Sequence, residues 1–325
     1  MRKVLLATTA LVALGGVSAA SADISISVSN EFKYTSWSDN TAETGGANKT
    51  NWANDSTVKI SASTVTDNGL SMSSYAANDS TTGFDDYGFS IAGDWGTLGF
   101  QGSDSGDAFE TAADVTPDEG NTIQAYHTST SAIAYVMPAD ASVADSSLSY
   151  KSPDINGFQF AFGSAPNGNS DASSMGAQYS MTSGDATITV KYAASSGGKA
   201  TTGAAEVEAT SMGLVVAYGD ATVTLAKNTK EGGSGTGATG AYDFTGDAIG
   251  ISYKMSDSMT LTAYTGSTED AKDSTHDVSD TGLGVAYTIT PGLTLSVTHN
   301  DWNIKDTSIT NENGSHMAVA LDLSF

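Results

Sequence analysis

Between Ser103 and Asp145 the chain carries Asp104, Asp107, Glu110, Asp114, Asp118, Glu119, Asp140 and Asp145, and neither a lysine nor an arginine. Carboxylates without counter-charge can concentrate cations, offer hard oxygen ligands to Ca²⁺, or work as an acid–base pair when their surroundings split their pKa values. Their number singles out no catalytic pair, and no EF-hand spacing is present. The favoured reading is an acidic connection that attracts cations. Ca²⁺ at the acidic loops is the one metal to consider, and no cofactor is expected.

Other chemical signals are weaker. Gly235-Thr236-Gly237-Ala238-Thr239-Gly240 fits G-x-G-x-x-G, but a dinucleotide site needs a strand before it and a helix after it. Here it lies in a glycine-rich stretch without helical pattern. His127, His276, His299 and His316 share no metal-ligand spacing. Cysteine is absent, which excludes a disulfide framework and a Cys-ligated zinc site. No nucleophile–base constellation stands out, so an enzyme is not expected.

The charge balance narrows the partners. With 37 acidic and 13 basic residues the formal net charge is −24, the wrong sign for a nucleic-acid binder. The 39% hydrophobic and 8% aromatic content is enough to build a core, which argues against a disordered acidic tail.

Met1 to Ala22 has the plan of a cleaved export signal. Arg2 and Lys3 are followed by the apolar run Val4 to Leu14 and by the small-residue site Ala20-Ser21-Ala22. The expected organisation is residues 1–22 as signal peptide and 23–325 as one domain. Removing Arg2 and Lys3 leaves 11 lysines against 37 acids, a net of −26. No later apolar stretch is long enough for a membrane helix.

The remaining chain alternates with period two. Ile24, Ile26, Val28, Phe32 and Tyr34 alternate with Ser25, Ser27, Ser29, Glu31 and Lys33, and Met317, Val319, Leu321, Leu323 and Phe325 alternate with polar or small residues. Sixteen such segments are expected, the first over 24–36, the second over 56–65, the twelfth over 246–254 and the last over 314–325. Short connections such as Asp67-Asn68-Gly69, Ser183-Gly184-Asp185, Gly219-Asp220 and Thr290-Pro291-Gly292 carry tight-turn residues. They alternate with long polar connections, of which 103–145 is the longest.

An even set of antiparallel strands with turns short at one end and long at the other is the layout of an outer-membrane β-barrel. A closed barrel pairs every backbone N–H and C=O within the bilayer. The apolar phase would face lipid and the polar phase a water-filled lumen. Tyr150, Phe158, Tyr179, Tyr218, Tyr253, Tyr287 and Phe325 fall on the apolar phase near the short turns, where an interfacial girdle belongs. Lys33, Lys59, Lys151 and Lys191 fall on the polar phase.

In this layout the chain resembles a general porin of Gram-negative bacteria, nearest to the alphaproteobacterial type found in purple bacteria. The carrying residues are the terminal strand closing on Phe325, the hairpin Asp94-Trp95-Gly96-Thr97-Leu98-Gly99-Phe100, and the hairpin from Ser147-Leu148-Ser149-Tyr150-Lys151-Ser152-Pro153 to Gly157-Phe158. The resemblance implies a 16-stranded antiparallel transmembrane barrel whose long third loop folds inward. Asp104, Asp107, Glu110, Asp114 and Asp118 would form the acidic side of a constriction, facing Lys33 and Lys59 on the wall. The family's basic cluster is arginine-rich, whereas Arg2 is the sole arginine here. Phe325, Leu323 and Leu321 would form the signal read by the outer-membrane insertion machinery. A homotrimer passing small hydrophilic solutes and ions is the implied function, and the charge of −26 with an all-acidic connection adds the expectation of weak cation selectivity. Two alternatives are an exported structural or adhesive surface protein and a substrate-specific outer-membrane channel.

Overall fold

The computed structural model describes residues 22–39, 50–79, 83–102, 146–165, 172–197, 205–233, 241–270, 277–305 and 312–325. The leader through Ser21 and the connection 103–145 lie outside the described residues, as do the 235–240 motif, His127 and His276.

Sixteen strands follow in chain order: Asp23–Asp39 (β1), Thr50–Val65 (β2), Ser71–Asp79 (β3), Gly83–Gly93 (β4), Gly96–Gly102 (β5), Ser146–Lys151 (β6), Phe158–Ala165 (β7), Ala172–Ser183 (β8), Ala186–Gly197 (β9), Ala205–Tyr218 (β10), Ala221–Gly233 (β11), Ala241–Ser256 (β12), Met259–Asp270 (β13), Asp277–Thr290 (β14), Leu293–Lys305 (β15) and Glu312–Ser324 (β16). Each pairs antiparallel with its sequence neighbours, and β1 pairs with β16 to close the barrel. Beyond the last strand residue, Val28 and Phe325 exchange two backbone hydrogen bonds of 3.2 and 3.0 Å, so the terminal residue completes the closure.

Register fixes which face each residue takes, because a slip of one residue would turn every side chain over. Val28 faces Val58, Val216 faces Val223, Val223 faces Ile251 and Val297 faces Val319. These rows hold the exposed large apolar side chains, among them Ile26, Phe89, Phe162, Met175, Ile251, Leu283 and Val285. They form the lipid-facing surface. The opposite phase is small or polar: Ala193, Ser195, Ala209, Ser211, Ala226 and Asn228 are buried there, facing the lumen.

The girdle residues behave as their phase requires. Tyr179, Tyr218, Tyr253 and Tyr287 are exposed on the outer face near the short turns. Tyr150 donates to the Trp95 carbonyl at 2.6 Å, with the two rings stacked. This ties one girdle residue to the hairpin beside it and satisfies the polar tip of an otherwise apolar ring.

Strand length explains where the outer face turns polar. A 16-residue strand such as β2 or β12 rises about 40 Å when tilted by about 40°, and the apolar band of such barrels is about 25 Å tall. The excess projects beyond the bilayer at the end of the long connections. Asp243, Glu231, Glu269 and Asp277 lie there on the outer phase.

Candidate functional site

The lumen wall is the surface on which the chain can act. Hydroxyl and amide pairs run across neighbouring strands on this side: Gln178 Nε2 donates to Gln159 Oε1 at 2.7 Å, Ser180 and Thr189 are 3.0 Å apart, and Ser73 and Ser90 are 2.7 Å apart. Such pairs satisfy one another while their remaining lone pairs and protons face water. A wall of this kind can hold a hydrated path.

Both expected wall lysines lie on the lumen phase, and each has a local partner. Lys33 Nζ stands 2.9 Å from Glu31 Oε1. Lys59 Nζ lies 4.3 Å from the centre of the Tyr75 ring, a cation–π contact. Glu31 faces Asp322 on one side and Asp55 on the other, so Lys33 sits beside a row of three carboxylates. The early strands therefore carry both signs. Asp104, Asp107, Glu110, Asp114 and Asp118 fall outside the described residues.

A second feature was not legible in the sequence. On β13 to β15 the side chains of Tyr264, Asp280 and Asn300 are all buried on the lumen side. Tyr264 Oη donates to Asp280 Oδ2 at 2.6 Å and accepts from Asn300 Nδ2. The Tyr264 ring lies flat over Gly282, where an added Cβ would come within 2.2 Å of Cε1. Trp302 lies in the same way over Gly314, where an added Cβ would be 2.4 Å from Cζ2. Glycine at these two positions lets large rings lie along the wall and not across the lumen. The pairs are cross-strand partners, Tyr264 with Gly282 and Trp302 with Gly314; only the register reveals them.

Phe325, Leu323 and Leu321 point outward at the closing seam, with Phe325 73% exposed. The described residues hold no group of three or more His, Cys, Asp or Glu placed to bind a metal ion, and no helix long and apolar enough to cross a membrane.

A closed sixteen-stranded barrel with an apolar exterior, an aromatic rim and a polar lumen defines a membrane channel. The family model for Gram-negative porins matches residues 7–307, and the chain belongs to that family. It is accordingly an outer-membrane porin. No curated protein sequence matches it. Among solved structures, a porin refined at 1.8 Å aligns with a TM-score of 0.69 at 15% identity, over 93% of this chain and 100% of the other. The anion-selective porin from Comamonas acidovorans aligns at 0.66 and 12% identity, over 94% and 100%. The trimer form of OmpT, an outer membrane protein of Vibrio cholerae, aligns at 0.68 and 12% identity, over 94% and 99%. At these identities the structures establish the shared fold.

Proposed function

We propose that the barrel passes small hydrophilic solutes and ions by passive diffusion, with a weak preference for cations and no chemical step. The observation that carries the preference is a contrast. The described lumen wall mixes lysines with acids, whereas the connection from Ser103 to Asp145 has eight acids and neither lysine nor arginine. The connection following β5 is therefore the segment able to tip the balance. Asp104, Asp107, Glu110, Asp114 and Asp118 are proposed as the acidic side of the constriction, with Lys33 and Lys59 on the facing wall. Ca²⁺ at the loop carboxylates would act as a counterion and no cofactor would be needed.

The working unit is proposed to be a homotrimer in outer-membrane lipid. The chain is exported by a leader ending at Ala22 and inserted through a signal formed by Leu321, Leu323 and Phe325. Support for the trimer is the trimer form of a structural neighbour. Support for the insertion signal is the outward phase of Leu321 and Leu323 on the closing strand and the exposure of Phe325 just beyond it.

The test is the zero-current potential of the refolded 23–325 chain in planar bilayers under a KCl gradient. A cation-favouring potential is expected, falling toward zero when the five loop acids become Asn or Gln. An anion-favouring potential, or no change in the variant, would overturn the selectivity reading. Absence of conductance steps would overturn the channel reading itself.

A further inference from the structure

Two neighbouring rows of outer-phase side chains cross the wall from β9 to β13. Register aligns Val190, Leu214, Leu225 and Ile249 in one row, and Tyr192, Met212, Lys227, Asp247 and Ser267 in the other. Between the rows lie Gly213, Ala226, Ala248 and Gly266, small residues on the opposite phase. The floor between the two ridges is therefore backbone, and a groove of about 810 Å³ runs along it on the outside of the barrel.

The groove changes character along its length. From Val190 and Tyr192 on β9 to Leu225 on β11 its ridges are apolar. At β11 and β12 Lys227 Nζ stands 3.7 Å from Asp247 Oδ1, with both side chains more than half exposed. Ser267 and Ser279 continue the row beyond Asp247. Asp247 stands six residues from the girdle residue Tyr253 on the same strand, about 15 Å of height for a tilted strand. The apolar band of such barrels is about 25 Å tall. The charged pair thus lies at a level where hydrocarbon covers an ordinary barrel face. Hydrocarbon would leave its outward N–H protons and carboxylate lone pairs unsatisfied, which is costly for each.

We infer that this groove holds one aminophospholipid, a lipid whose headgroup joins a phosphate to a primary ammonium. The phosphate meets Lys227 and the ammonium meets Asp247, while the hydroxyls of Ser267 and Ser279 can donate to the remaining phosphate oxygens. A neutral pair of opposite charges is thereby matched by a neutral headgroup of opposite charges. One acyl chain lies between the ridges from Ile249 and Leu225 toward Val190. The distance from β12 to β9 is three strand spacings, about 14 Å, close to half of a hydrocarbon core about 30 Å thick. Other headgroups fit less well. A phosphate without an ammonium is repelled by Asp247, and a quaternary ammonium has no N–H to donate to it.

The test is native mass spectrometry of the refolded 23–325 protein released from detergent micelles doped with equal amounts of phosphatidylethanolamine, phosphatidylglycerol and phosphatidylcholine. The wild type is expected to retain one phosphatidylethanolamine in preference to the other two. Lys227→Gln combined with Asp247→Asn should lower that preference by about fivefold, the upper end for an exposed ion pair. Lys305→Gln combined with Asp277→Asn, which removes an outer-phase pair away from the groove, should leave it unchanged. Equal retention of the three lipids by the wild type, a preference for phosphatidylglycerol, or an unchanged preference in the Lys227 and Asp247 variant would each overturn the inference. Should that double variant fail to refold, the two substitutions are measured singly, and an unchanged preference in both overturns it.

Discussion

Replacing Tyr264 by Phe removes one oxygen from the lumen wall and should destabilise the barrel by about 1–3 kcal/mol. That oxygen donates to Asp280 at 2.6 Å and accepts from Asn300. Asp280 is 1% exposed, so water does not replace the lost donor, and the cost is that of a buried acceptor left short. The ring itself stays, because Phe keeps the contact with Gly282. The complementary change, Gly282→Ala, leaves the hydrogen bonds unchanged and places a methyl 2.2 Å from Tyr264 Cε1. The ladder fixes the Gly282 backbone between Tyr264 and Asn300, so the ring must move, at an overpacking cost of about 1–3 kcal/mol. With Tyr264→Ala in the background, that cost should largely disappear, a coupling of about 0.5–3 kcal/mol. Urea unfolding in lipid vesicles, followed by tryptophan fluorescence, measures the four variants Tyr264→Phe, Gly282→Ala, Tyr264→Ala and Tyr264→Ala with Gly282→Ala against wild type. Tyr264→Phe within about 0.5 kcal/mol of wild type, or a Gly282→Ala cost independent of residue 264, would refute the reasoning.

Two further outcomes concern the short turns. Gly157 has φ +86°, and an added Cβ would sit 2.1 Å from the Ser180 carbonyl oxygen, while the Ser180 N–H donates to the Gly157 carbonyl at 2.8 Å; Gly157→Ala should cost at least about 1–2 kcal/mol, whereas Gly219→Asn, with nothing within 4 Å of the added Cβ, should stay within about 1 kcal/mol. Urea midpoints of the two variants check the contrast. In the β12–β13 turn, a 2.8 Å hydrogen bond from Lys254 holds the Asp257 carboxyl below the ordinary carboxylate range. Its small contribution is present above the unfolded-state pKa of about 4 and lost as pH falls through the lower folded-state value. The difference in midpoint between wild type and Asp257→Asn should therefore be constant from pH 5 to 8, and a difference that changes within that window would contradict the assignment.

Period-two alternation was enough to find every strand, because one face of each must be apolar against lipid. It underestimated strand length where that demand ends. The second strand, expected over 56–65, begins at Thr50: Asn54 interrupts the apolar phase, yet its backbone remains paired with Phe32 of β1. The twelfth, expected from 246, begins at Ala241 for the same reason, Asp243 pairing with Glu231. Turn chemistry placed the ends well, and the expected connection 103–145 falls between Gly102 of β5 and Ser146 of β6. The site was less legible. The lumen phase of Lys33 and Lys59 follows from parity alone, but the ion pair with Glu31 and the packing on Tyr75 depend on which residues oppose each other. Gly282 and Gly314 look like any other glycine until the register sets Tyr264 and Trp302 beside them.

Register also limits what the net charge can mean for selectivity. Of the acids that make the chain −24, Glu208, Glu231, Asp243, Asp247, Glu269, Asp277 and Asp301 lie on the outer phase, and Asp67, Asp94, Asp154, Asp185, Asp220 and Asp257 lie at the short-turn rim. A charge on the outer phase is separated from the channel axis by the wall and roughly half the barrel's width, about 15 Å, while the Debye length at physiological salt is about 8 Å. These acids add to solubility and to interaction with the membrane surface, and little to the potential felt by a permeating ion. The lumen phase that remains carries both signs, Lys33, Lys59, Lys151 and Lys191 among the cations and Glu31, Asp55, Asp280 and Asp322 among the acids. The proposed cation preference therefore rests on an unbalanced segment, and 103–145 supplies eight acids with neither lysine nor arginine. Neutralising outer-phase acids such as Asp243 and Asp301 should leave the zero-current potential unchanged at 0.15 M salt, even though it lowers the net charge as much as neutralising two acids of the loop.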